Sequence, residues 1–252
     1  MIRIENISKS FGNKVILNNI SGVFRRGITN MIIGASGTGK SVLIKCMVGL
    51  VEPDEGYVYY GDRDFTHADR AGRIEIRREI GMLFQGGALF DSKNVEENVK
   101  FPLDQLTDMP EDEKLDRVNF VLERVDLTGV NKKMPAELSG GMKKRVGIAR
   151  AIVNSSKYLF CDEPNSGLDP VTSIRIDNLI KEITEEYNIT TIVVSHDMNS
   201  VMEIGEYVMF MYEGRKIWEG SKENIMEAVE EELNDFIFAN KMMQIVREKS
   251  SL

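Results

Sequence analysis

Met31-Ile32-Ile33-Gly34-Ala35-Ser36-Gly37-Thr38-Gly39-Lys40-Ser41-Val42-Leu43 is the stretch whose reading decides the fold. It passes from an apolar strand pattern through a glycine-rich turn into a helical pattern, and Gly34–Ser41 fits GxxxxGK[ST] at every position. Glycines there let backbone N–H groups curl around phosphate oxygens. A helix starting near Lys40 adds its unpaired N–H groups and its positive end. Lys40 offers a mobile cation to the β- and γ-phosphates, and Ser41 a hydroxyl to Mg²⁺. The competing reading is a flexible Gly/Ser loop without function, against which stand the fixed spacing and the strand-turn-helix context. The stretch therefore predicts a nucleoside triphosphate site built from Gly34, Ala35, Ser36, Gly37, Thr38, Gly39, Lys40, Ser41 and Val42.

Outward from this loop, Met1–Ile7, Val15–Phe24 and Gly56–Tyr60 alternate as short antiparallel strands, the first two joined by a Gly12-Asn13 turn. The helix after the loop should bury Val42, Leu43, Cys46, Met47 and Leu50 and stop at Pro53. Leu115, Val118, Leu122 and Val125 recur at helical spacing after Pro110-Glu111. Ser139-Gly140-Gly141 opens a further helix, basic at its start and apolar later. Strands return at Tyr158–Cys161, Thr190–Val194 and Val208–Met211, with a helix from Pro170 to about Tyr187. Such alternation predicts an α/β fold with a mostly parallel sheet covered by helices. In the tail, Ile225, Val229, Leu233, Phe236 and Ile237 could share an apolar face continued by Met242, Met243 and Val246. That face either packs on its own domain or meets a partner.

Composition narrows the function classes. The longest run without Asp, Glu, Lys or Arg is Gly27–Gly39, 13 residues rich in Gly, Ser and Thr. A membrane-spanning helix needs about 20 mostly apolar residues, so none is expected. The net charge of −8 and the lack of a long basic block disfavour nucleic acid as a partner. Cys46 and Cys161 are too few and too far apart for a disulfide framework or a metal pair. Arg3 and Glu5 interrupt any signal-like start, making a cytosolic location the default.

A second set of chemical groups lies far along the chain. The apolar strand Leu159-Phe160-Cys161 runs straight into Asp162-Glu163. Strand ends beside a phosphate loop are where carboxylates meet the metal, so Asp162 is assigned to Mg²⁺ and Glu163 to general-base work on the attacking water. His196 ends the Thr190–Val194 strand and could bond the γ-phosphate or fix that water. His67 has no such context and reads as an ordinary surface residue.

Leu138-Ser139-Gly140-Gly141-Met142 resembles the LSGGQ signature of ABC-transporter ATP-binding subunits. Gln85, in Leu83-Phe84-Gln85, resembles that family's Q-loop, Ser166-Gly167-Leu168-Asp169 its D-loop, His196 its switch histidine and Phe11 its adenine-stacking aromatic. The resemblance covers residues 1–220 and implies a P-loop NTPase of ABC type. Its mostly parallel core sheet would carry an antiparallel β subdomain and a helical insert at about 87–155, and 221–252 would form a helical tail. The resemblance also implies a head-to-tail homodimer in which ATP on the Lys40 loop is capped by Ser139, Gly140 and Gly141 of the other copy. Gln85 would touch Mg²⁺ and the attacking water, and Asp169 would bridge the copies. Met142 in place of glutamine and Gly167 in place of alanine depart from the family pattern.

Phe84–Ser92, followed by Glu97-Asn98-Val99 and Phe101-Pro102-Leu103, lies where a permease helix would dock. Together with LSGGM it is similar to the ATPases of MCE-associated (Mla-type) lipid transporters. The resemblance implies an ATPase on the cytoplasmic face of the bacterial inner membrane, powering an integral-membrane permease. An MCE-type lipid-binding subunit and a small accessory protein would complete the assembly. The alternatives are an importer of a small solute such as an amino acid, or a non-transport ABC ATPase. Ala88, Leu89 and Phe90 read either as core under the helical insert or as an exposed apolar groove.

Overall fold

Period-two alternation of apolar side chains sorts the interior into two cores. The structure, a computed structural model, describes residues 1–239. In β3 (Thr29–Ile33), Met31 and Ile33 join one core and Ile32 the other; around β7 (Tyr158–Asp162), Leu159 and Cys161 separate from Phe160 in the same way. Strands buried on both faces are the mark of a helix-covered parallel sheet. The sheet runs β10 (Arg215–Gly220), β9 (Tyr207–Tyr212), β3, β8 (Thr190–Ser195), β7, β6 (Ile80–Leu83), parallel throughout except for the β9–β10 hairpin.

One core lies between this sheet and helices α3 (Val95–Leu106), α4 (Glu111–Arg124), α5 (Gly140–Ile152), α6 (Pro170–Glu186) and α7 (Met198–Ile204). The other is closed by α1 (Lys40–Met47), α2 (Arg70–Arg78) and a four-stranded antiparallel sheet, ordered β2 (Lys14–Phe24), β1 (Ile2–Phe11), β4 (Glu55–Tyr60), β5 (Arg63–Asp64). Parallel pairing brings Ile33 level with Ser195, Asp162 with Val194 and Leu83 with Cys161. All four strands therefore deliver their following loops to a single edge, as strand order around a phosphate-binding turn requires.

Several expectations need correction. Helix α1 ends at Met47, well before Pro53, because the Gly49 N–H bonds Cys46 O and the Leu50 N–H bonds Lys45 O, closing a Schellman turn. Leu50 is accordingly 59% exposed, and Ile44, unassigned from the sequence, takes the buried place. Leu115 faces out while Val118, Leu122 and Val125 are buried, so the stripe on α4 begins one turn later. Pro110 caps that helix instead of occupying its first turn.

In the tail, Ile225, Leu233 and Ile237 enter the first core and Phe236 packs against it, whereas Val229 is 89% exposed. A 3-10 turn at Ile225–Glu227 and the short α8 (Glu231–Ile237) replace one continuous helix, which explains why Val229 leaves the shared face. Met242, Met243 and Val246 lie outside the described residues. Among the described residues, no helix is long and apolar enough to cross a membrane.

Candidate functional site

The loop after β3 is shaped by close backbone approach. Gly34 has φ +145, and a Cβ there would meet Met211 O at 2.2 Å; Gly39, at φ +98, precedes α1 directly and has Ile16 O where a Cβ would go. No other residue fits those two positions without moving β9 or β2. The Lys40 ammonium sits inside the loop, donating to Gly34 O at 2.8 Å and Ala35 O at 2.7 Å, and the Thr38 hydroxyl also donates to Ala35 O. Burial lowers the Lys40 pKa, with Glu163 and Asp162 pulling the other way. Val42 is half-buried on α1.

At the tip of β7, the Ser41 hydroxyl donates to Asp162 Oδ1 at 3.0 Å. Asp162 is 6% exposed; burial pushes its carboxyl up, while the Ser41 hydrogen bond draws it down. The next residue, Glu163, has φ +48, a left-handed conformation that is uncommon for a non-glycine residue. This turn aims the Glu163 side chain at two neighbours in the loops that follow the adjoining strands β6 and β8. Gln85 Nε2 donates to its Oε2 at 2.9 Å, and His196 Nδ1 lies 3.2 Å from its Oε1. The Glu163 backbone is held as tightly: its N–H donates to Val194 O at 3.0 Å, and the buried Lys144 ammonium donates to its carbonyl at 3.1 Å. Lys40, Ser41, Gln85, Asp162, Glu163 and His196 are thus linked through side-chain contacts or short chain connections.

A hydroxyl and a carboxylate meet here, with the Gln85 amide on the neighbouring Glu163, an oxygen-rich donor set of the kind that holds Mg²⁺ beside phosphate oxygens. The 3.0 Å Ser41–Asp162 contact already brings two of these donors together.

Ser139, Gly140 and Gly141 lie elsewhere. Ser139 caps α5, its hydroxyl oxygen accepting from Met142 N, and with Gly140 it is exposed. The three line an open cleft of about 740 Å³ with Gly167, Leu168 and Asp169, not with the Lys40 loop. Asp169 caps α6, accepting from Thr172 N at 3.0 Å and Thr172 Oγ1 at 2.6 Å, bonds that keep its pKa low. Phe11 stands 52% exposed at the end of the β1–β2 hairpin, with the Lys9 ammonium 5.5 Å from its ring centre. His67 is exposed and paired with Asp64.

The segment after Gln85 is rigidly braced. Asn98, fully buried, donates to Phe90 O, Lys93 O and Asn94 O and accepts from Phe90 N. Arg150 donates to Gly87 O and Ala88 O. Phe90 remains 41% exposed, 4.8 Å from the Phe101 ring, and Leu89 packs against the core. Phe84, Ala88, Phe90, Phe101, Pro102 and Leu106 line an apolar groove of about 490 Å³. Both readings of Ala88–Phe90 hold, divided between neighbouring residues.

The roles of Lys144, Asn98 and Arg150 were not read from the sequence. The basic run Lys143-Lys144-Arg145 was its only hint of the first, since nothing in it marks which cation turns inward.

Residues 17–166 match the family described as ABC transporter. The chain is 36% identical over 228 residues to the intermembrane phospholipid transport system ATP-binding protein MlaF of Haemophilus influenzae, covering 90% of this chain and 86% of that one. It is 38% identical over 224 residues to the methionine import ATP-binding protein MetN of Geobacillus kaustophilus, covering 87% of this chain and 65% of that one. A solved ATP-binding cassette, dimeric in a post-hydrolysis state with ADP and Pi, superposes with a TM-score of 0.80 at 31% identity, covering 88% of this chain and 98% of that one.

Proposed function

The chain belongs to the ABC transporter family as an ATP-hydrolysing cassette, and from that premise we propose that it powers a permease moving phospholipid or a related lipid between bacterial membranes. The observation that carries the lipid reading is the likeness to the phospholipid transport ATP-binding protein over 90% of this chain. The partners proposed are a second copy, an integral-membrane permease, an MCE-type lipid-binding subunit and a small accessory protein. All would act at the cytoplasmic face of the inner membrane, with no nucleic acid involved.

In this reading the Gly34–Ser41 amides and the N-terminus of α1 cradle the triphosphate, beside Val42, while Phe11 stacks on adenine. The Lys40 ammonium, with two donors on loop carbonyls, extends its remaining one to phosphate. Ser41, Asp162 and Gln85 would hold Mg²⁺, which when bound supplies charge neutralisation on the phosphate oxygens. Glu163 takes a proton from the attacking water, and His196 and Gln85 fix its carboxylate through one oxygen each. Ser139, Gly140 and Gly141 of the second copy complete the cage around the γ-phosphate, excluding water from it. Asp169 lies beside that interface. The ATP-binding domain spans 1–220, with its helical insert at about 87–155 receiving the permease at the Phe84–Phe101 groove; 221–252 are the tail.

Purification from mildly solubilised membranes, with mass spectrometry of co-purifying proteins and lipids, tests the reading. A polytopic permease, an MCE-type subunit and enriched phospholipid are expected. The likeness to a methionine import protein favours one second reading, small-solute import. A permease with a soluble solute-binding protein and no enriched lipid would replace the first reading with it.

A further inference from the structure

Behind the catalytic edge lies a buried polar cluster that the mechanism above does not use. Asp177, on α6, is 2% exposed, and Ser200, on α7, is 1% exposed. Asn165, in the loop between Glu163 and Asp169, donates from Nδ2 to Ser200 Oγ at 3.0 Å. Two oxygens in this cluster, Asp177 Oδ1 and Asn165 Oδ1, are buried without a hydrogen-bond donor. Buried polar atoms are rarely left so, because each forfeits its hydration. The cluster lacks one proton, and a carboxyl can carry it.

Its location gives this shortage a consequence. Asn165 follows Glu163 by two residues, and α7 begins two residues after His196. We propose that Asp177 is a positioning residue for ATP hydrolysis: through Asn165 and Ser200 its carboxyl joins the loop bearing Glu163 and Asp169 to the helix that follows His196, keeping base and histidine in register.

Burial, against the opposing pull of the neighbouring Ser200 and Asn165, pushes Asp177 up to about 6. The charges acting on it from α7 are Asp197 and Glu203, both acidic, and the titratable group facing it from β7 is the buried Cys161 thiol. These surroundings favour the protonated acid, the form that supplies the missing donor.

The proposal rests on the roles given above to Glu163 and His196. Its test compares kcat for ATP hydrolysis, affinity for a fluorescent ATP analogue and melting temperature in wild type, Asp177→Leu, Asp177→Asn, Ser200→Ala and Glu163→Gln. At pH 5.5, where the wild-type acid is mostly protonated, Asp177→Leu and Ser200→Ala are expected to lower kcat about tenfold or more while changing nucleotide affinity less than about twofold, because the Lys40 loop is untouched. Asp177→Asn, which restores a donor, recovers most of kcat. The ratio of its kcat to that of wild type rises at least about threefold from pH 5.5 to 7.5, as the wild-type acid ionises; titrations common to both cancel in the ratio. Wild-type kcat in Ser200→Ala, or a ratio flat with pH, overturns the positioning role. Near-normal turnover by Glu163→Gln would instead sink the assignment of the base, whatever Asp177 does.

Discussion

Glu163 is held at four points from three elements or the loops after them: Gln85 after β6, Val194 in β8 and His196 after it, and Lys144 in α5. Lys144 is the informative one, because the residue is 3% exposed and its ammonium donates to a backbone carbonyl. Burying a cation is unfavourable unless it is compensated, and here the compensation fixes the strained peptide at the base. Lys144→Met should therefore lower kcat about tenfold or more without lowering the melting temperature; an unchanged kcat would leave Lys144 a mere packing residue. Met142 gives the opposite expectation. Its contribution to the α5 cap is its backbone N–H on Ser139, which any side chain retains. Met142→Gln should keep turnover within about tenfold, one peripheral hydrogen bond being worth about 1 kcal/mol, and a hundredfold fall in steady-state hydrolysis would contradict this.

Asp177 also predicts a pH dependence of stability. Its folded pKa of about 6 lies above the unfolded value. Its contribution is thus fully present below about pH 4 and is lost as pH rises through 6. Between pH 5 and 7.5 wild type should lose about 1.4 kcal/mol that Asp177→Asn keeps. Urea midpoints of the two proteins at both pH values measure it, and parallel pH profiles would show that the carboxyl is not titrating in the fold.

Among the elements, what was legible followed from pattern strength. β3, β7, β8 and α6 carry continuous apolar runs or unambiguous caps, and their placement from sequence differs by at most a residue or two. The short β5 and β6, α2 and α7 were not identified, since strands of two and four residues, a mostly polar helix and a helix of seven residues give little periodic signal. The groove segment was legible as a motif and opaque as a structure, because its shape comes from distant braces. Asn98 reaches the Lys93 carbonyl and the Phe90 N–H, which no regular ladder serves, and adds a second donor to the Phe90 and Asn94 carbonyls. Asn98→Ala would strip the part-buried Lys93 carbonyl and Phe90 N–H of this partner and should destabilise the protein by about 1–3 kcal/mol, read as an earlier urea midpoint. Phe90→Glu alters only the exposed side of the same segment. ATP binding should survive it, while ATP-driven lipid transport in proteoliposomes with the permease is lost; retained transport would remove the groove from the coupling path.

At the scale of the whole molecule, the two halves of the proposed cage line separate places. The Lys40 loop and Glu163 share one edge of the sheet, whereas Ser139, Gly140 and Gly141 open the cleft beside Asp169. A helix N-terminus left exposed with a serine hydroxyl and two glycine amides is a ready anion binder, and in the proposed sandwich the phosphate would come from ATP on the second copy. Closure then depends on ATP remaining intact, since hydrolysis splits the group that both copies would hold. Glu163→Gln keeps the hydrogen-bonding shape of the side chain but cannot accept the proton of the attacking water. With Mg-ATP this variant should elute from gel filtration as a dimer, and as a monomer with Mg-ADP. Wild type should pass through the dimer only transiently. Adding Ser139→Arg to the variant fills the cap with a side chain too large for a phosphate and should return the ATP-loaded protein to monomer. An ATP-loaded Glu163→Gln protein that stays monomeric would mean that either the sandwich or the base is wrongly assigned. Single-turnover hydrolysis separates the two: full activity of the variant condemns the base, and its absence condemns the sandwich.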